Sequence, residues 1–61
     1  MTIETTVGTI TADKDTLNSL AILLTEASKS YEVRERKALA KQADEASNEI
    51  YEALAAIGFY N

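Results

Sequence analysis

Apolar positions fall into three patterns along the chain. In "TIETTVGTITAD", Ile3, Thr5 and Val7 alternate with Thr2, Glu4 and Thr6, the period of a half-buried strand. Gly8 interrupts it, as a bulge in one long strand or as the turn of a hairpin whose second arm carries Ile10; the hairpin is the preferred reading. From Thr9 to Ile57 there is neither Gly nor Pro, and Ala, Leu, Glu and Lys dominate, so this span is expected to be helical. Leu17, Leu20, Leu24, Ala27 and Tyr31 form one helical stripe. Leu39, Ala43, Ala46, Ile50, Leu54 and Ile57 form a second, displaced by roughly 90° at 100° per residue. One straight helix cannot bury both.

The phase slip predicts a turn near Ser28 to Val33, inside "ASKSYEVRERKA", with Ser30 capping the second helix and Glu32 in its first turn. Thr11 or Asp13 caps the first helix, and Asp13 and Asp15 suit the positive end of its dipole. At the far end, Gly58 followed by Phe59 predicts a Schellman ending, with the helix stopping near Ile57 and Phe59 packing back on Leu54. The expected fold is mainly α: an antiparallel two-helix hairpin preceded by a short N-terminal β-strand or β-hairpin. It forms one small domain over residues 1–61, with a β segment at 1–11, helices at 12–30 and 31–57, and a cap at 58–61.

Composition narrows the chemistry. With no Cys and no His, disulfides, zinc sites and the usual nucleophile–base pairs are missing, and the two glycines cannot build a phosphate loop. Asp44, Glu45, Glu49 and Glu52 could be imagined around a hard cation, but no oxygen-rich loop accompanies them and a solvated helix face is the simpler reading. The chain is therefore read as non-enzymatic, with no cofactor and no metal. No apolar run is longer than the five residues of "LAILL" at 20–24, far below the roughly 20 residues of a membrane span, and the absence of Cys and of export features fits the cytoplasm. A chain of this size buries only about 60% of its unfolded surface, so tight packing or a partner chain is needed for stability.

Charge is distributed unevenly. Lys29, Arg34, Arg36, Lys37 and Lys41 surround the predicted turn, while Asp44, Glu45, Glu49 and Glu52 occupy the later half of the second helix, against the sense favoured by the helix dipole. The hairpin becomes a rod with opposite charge at its ends. Across a two-fold axis near Ala43, Arg34 would meet Glu52, Lys37 would meet Glu49, and Lys41 would meet Glu45 in an antiparallel homodimer, although exposed pairs contribute only about 0–1 kcal/mol each. Ile22 and Leu23 lie off the main stripe of the first helix and offer an apolar surface to the N-terminal strand segment, a second chain or a target. Ala40, Ala43, Ala46 and Ser47 allow close helix approach, and Tyr60 is a candidate recognition anchor.

These features lead to the expectation of a non-catalytic protein-binding module, a dimeric helical hairpin that docks on a larger protein and inhibits or adapts it. Two alternatives stand beside it. A strand followed by two helices is also the order of ribbon-helix-helix repressors, an analogy of topology alone, since no Lys or Arg occurs in the first thirteen residues. The acidic end could instead mimic nucleic acid and block a protein that binds it. At a net charge of −4, direct nucleic-acid binding is disfavoured.

Overall fold

A computed structural model describes residues 1–61. The element order is β1 (Thr2–Thr5), β2 (Gly8–Thr11), α1 (Lys14–Val33) and α2 (Lys37–Ala56). The strands form an antiparallel hairpin within the chain, with Ile3 opposite Ile10 and Thr5 opposite Gly8. Gly8 takes φ 125°, so Thr6 and Val7 turn the chain without positive φ. The Thr5 hydroxyl locks this turn, accepting the Val7 N–H at 3.2 Å and donating to the Gly8 carbonyl at 2.8 Å. Val7 therefore lies in the turn, 54% exposed, and does not share the inner face with Ile3.

Asp13, the better placed of the two expected caps, accepts the Thr16 N–H at 2.7 Å and starts α1. That backbone hydrogen bond holds its carboxyl below the ordinary aspartate value. α1 continues past the predicted turn. Ser28 is a buried interface residue whose hydroxyl donates to the Ala40 carbonyl at 2.9 Å, so the chain has no reason to break there. Ser30 stays helical and caps nothing; α2 begins after Arg36 with no side-chain cap. The reversal occupies Arg34 to Arg36. The Arg36 N–H reaches the Tyr31 carbonyl at 2.8 Å and the Glu35 N–H reaches the Glu32 carbonyl at 3.0 Å, a Schellman pattern with Glu35 at φ 59° in the position glycine usually takes. α2 ends by the same pattern, from Phe59 to Leu54 and from Gly58 to Ala55, each at 3.0 Å, with Gly58 at φ 77° as expected.

The molecule is a rod of 35 × 21 × 15 Å whose large apolar side chains gather at one end. Leu17, Ala21, Ile50 and Leu54 are fully enclosed beneath Ile3, flanked by Ile10, Leu20, Leu24, Tyr51 and Phe59. Toward the turn the helices meet through Ser28, Ala40, Ala43, Ala46 and Ser47, small residues that permit close approach. Thr25 Oγ1 and Ser47 Oγ lie 2.6 Å apart, and each lies 2.9 Å from the Ala21 carbonyl. Two hydroxyl protons cannot serve three contacts, so one hydroxyl donates to the other, which donates to the carbonyl. Leu39 and Ile57, expected in the buried stripe, are 38% and 47% exposed. The close approach runs through Ala40, which turns Leu39 about 100° off the line, and Ile57 already stands at the helix cap.

Candidate protein-docking surfaces

The turn between the helices forms a basic tip. Residues 29–41 hold five bases against two acids, net +3; the other 48 residues hold one base and eight acids, net −7. A single ion pair forms in the whole molecule, Lys41 to Glu45 at 3.9 Å along α2, so Lys29, Arg36 and Lys37 have no carboxylate partner. Arg34 bonds the Ser30 hydroxyl at 3.1 Å and lies 5.6 Å from the Tyr31 ring centroid, a cation–π contact. Beside it Val33 is 84% exposed, the most exposed large apolar side chain of the chain. Sequence reasoning placed Val33 at the margin of the turn; only the continuation of α1 turns it outward.

The tip also runs against helix electrostatics. α2 has no acid in its first turn, Arg36 occupies its N-cap position and Lys37 is its first residue. Each base near the positive end of a helix forgoes about 0.3–1 kcal/mol that an acid there would contribute.

Farther along α2, Glu45, Glu49 and Glu52 face Glu4, Thr5 and Thr6 of the hairpin across an open polar depression. Glu49 is already engaged: its Oε1 accepts the Thr6 N–H at 2.8 Å and ties the hairpin turn to α2. No three carboxylates converge in a way that could hold a metal ion. The α2 charge stripe drawn from the sequence is thus altered. Arg34 lies in the turn, off α2, Glu49 serves the hairpin, and Lys41 and Glu45 already face each other within the chain. Asp13 is likewise committed as a cap, which leaves fewer free carboxylates for imitation of a phosphate backbone.

A third surface is the outer side of α1, where Ile22 is 46% and Leu23 is 61% exposed. Tyr60 borders it. Its hydroxyl donates to Asn18 Oδ1 at 2.6 Å, and its ring meets Phe59 edge-on at 5.1 Å and Tyr51 at 6.2 Å between centroids. Partial desolvation, then the neighbouring Tyr51, push its hydroxyl pKa above the ordinary tyrosine value. Tyr60 therefore clasps the C-terminal turn to α1 while leaving half its surface open. Asn18, the other half of that clasp, carried no sequence signal, being a lone polar residue on a helix.

No helix is long and apolar enough to cross a membrane. No family model, curated protein or solved structure matches the chain significantly.

Proposed function

We propose that this chain is a non-catalytic protein-binding module whose basic tip docks on an acidic surface of a larger protein and thereby inhibits or adapts it. The observation that carries this reading is the gathering of five bases at the tip with so little acidic pairing inside the chain. Exposed Val33 and Leu39 beside those charges supply apolar contact of the kind a protein surface uses and a phosphate backbone does not. Nucleic acid is the less favoured partner, because Glu32 and Glu35 interrupt the tip and the remaining −7 would repel phosphates. The β1–β2 pairing within one chain lends no support to a strand pair shared between chains and laid in a DNA groove. The cytoplasm is the compartment proposed for this activity, in keeping with a cysteine-free sequence.

The test uses Lys37→Glu. Placing an acid in the uncapped first turn of α2 is expected to leave the fold intact or raise its melting temperature, while removing capture of an acidic protein from a native lysate. Capture indifferent to Lys37→Glu refutes docking through the tip. A salt-dependent mobility shift on duplex DNA, lost in the same variant, would assign the tip to nucleic acid instead.

A further inference from the structure

The outer faces of the two helices differ in kind. That of α2 carries Lys41, Asp44, Glu45, Asn48 and Glu52, as a solvated face should. That of α1 places Asp15, Ser19, Ile22, Leu23, Glu26 and Lys29 within an arc of about 120° at 100° per residue. All six are exposed, and the two large apolar members sit together at the middle of the helix, which runs from 14 to 33.

We infer that this face binds a second copy of the chain, α1 against α1 and antiparallel, about a two-fold axis between Ile22 and Leu23. Three observations point to a copy of itself. An axis at the helix midpoint overlaps the two helices along nearly their full length, and it sets Ile22 of one protomer against Leu23 of the other, the self-matching that a two-fold contact requires. The same axis sets Ser19 level with Glu26 and brings Asp15 to within one residue of level with Lys29, twice, so no like charges meet along the seam. It also lays the +3 tip of each copy beside the −7 remainder of the other, whereas a parallel pair would bring tip to tip.

Tyr60 widens the contact. It is bonded to Asn18, one helical turn before Ile22, and so extends the apolar surface on the same flank. A 20-residue helix is about 30 Å long and presents a strip about 10 Å wide, a footprint of roughly 300 Å² per copy. Standard stable interfaces take about 800 Å² per partner, so the predicted dimer is reversible and falls apart on dilution. It engages Lys29 of each tip, leaves Arg34, Arg36, Lys37 and Lys41 free, and does not depend on the tip docking proposed above.

Sedimentation equilibrium or light scattering over a wide concentration range tests the inference. The mass is expected to rise reversibly from 6.7 kDa toward twice that value. Leu23→Asp sets a charge into the seam twice per dimer and is expected to weaken association at least a hundredfold. Leu23→Ser, a milder change at the same exposed site, should weaken it in the same direction with circular dichroism unchanged. Lys29→Asp alone is expected to weaken the dimer several-fold and Asp15→Lys with Lys29→Asp to restore it, a rescue that only an antiparallel pair can give. A wild type that stays monomeric at millimolar concentration overturns the inference, as does a dimer unaffected by Leu23→Ser or one in which the charge swap gives no rescue. These outcomes are separate from those of the tip: a monomer that still captures its target through Lys37 would sink the dimer alone, and a dimer without such capture would sink the docking alone.

Discussion

The two helices of this protein end in the same hydrogen-bonded motif built from different residues. At the end of α2, Gly58 accepts the left-handed backbone at no steric cost, and Phe59 folds back on the cluster that includes Leu54. At the end of α1, Glu35 takes the same conformation against the preference of its side chain, and Arg36 stands where an apolar residue would pack back. The first ending closes over the core and is stabilised by it. The second projects beyond the core into a cluster of positive charge, and the helices below it are held by small residues and hydroxyl bonds. Left-handed backbone without glycine persists only where its surroundings determine it. Here the antiparallel packing of α1 on α2, fixed by Ser28, Ala40 and Ser47, does so.

Four substitutions break or sharpen this contrast. The largest effect belongs to Leu54→Ala, which empties a fully enclosed site and removes the residue on which the α2 ending closes; a loss of about 2–5 kcal/mol is expected, enough to unfold much of so small a domain in a urea titration. Gly58→Ala comes next. The nearest atom to the new Cβ is the exposed Asn61 side-chain nitrogen at 3.4 Å, so the cost is conformational, about 1–2 kcal/mol, and the urea midpoint should fall with its slope unchanged. Glu35→Gly acts in the opposite sense. Relief of the left-handed backbone outweighs the added freedom of the unfolded chain, and stability should rise by about 0.5–1 kcal/mol; a fall would show that the Glu35 side chain has a role beyond the turn.

The smallest effect is at the start of α1. Capping depresses the Asp13 carboxyl below its ordinary value of 3.8, so its contribution to stability is complete above the unfolded-state value and disappears as pH falls through the lower folded-state value. Asp13→Asn retains an oxygen acceptor without the titration. Thermal melts of the two proteins should converge as pH is lowered below about 3.8, and curves that stay parallel would deny Asp13 this role.

The contrast between the two endings also shows where sequence reading succeeds. Gly58 followed by Phe59 announces its motif, because only glycine is free of strain in that position. Glu35 announces nothing, and the turn was expected several residues earlier because Ser28 and Ser30 resemble breakers and caps. Ser28 is instead an interface residue, a role that depends on the Ala40 carbonyl lying across from it. Of the candidate surfaces, the basic tip and the exposed Ile22–Leu23 pair were legible from charge and helical phase. The commitments of Glu49 to Thr6 and of Tyr60 to Asn18 were not, since each joins residues more than forty positions apart.

The sequence by itself determined the element types, a hairpin and two helices, because β-branched alternation and an Ala- and Leu-rich span without glycine or proline act locally on the backbone. It also determined the ending at Gly58 and the opposed charges of the two ends. Tertiary structure decided where α1 stops, which helical residues face each other and which carboxylates remain free. Those outcomes rest on contacts between distant segments, where a hydroxyl meets a particular carbonyl or a small residue admits a neighbouring helix, and no local periodicity encodes such a meeting.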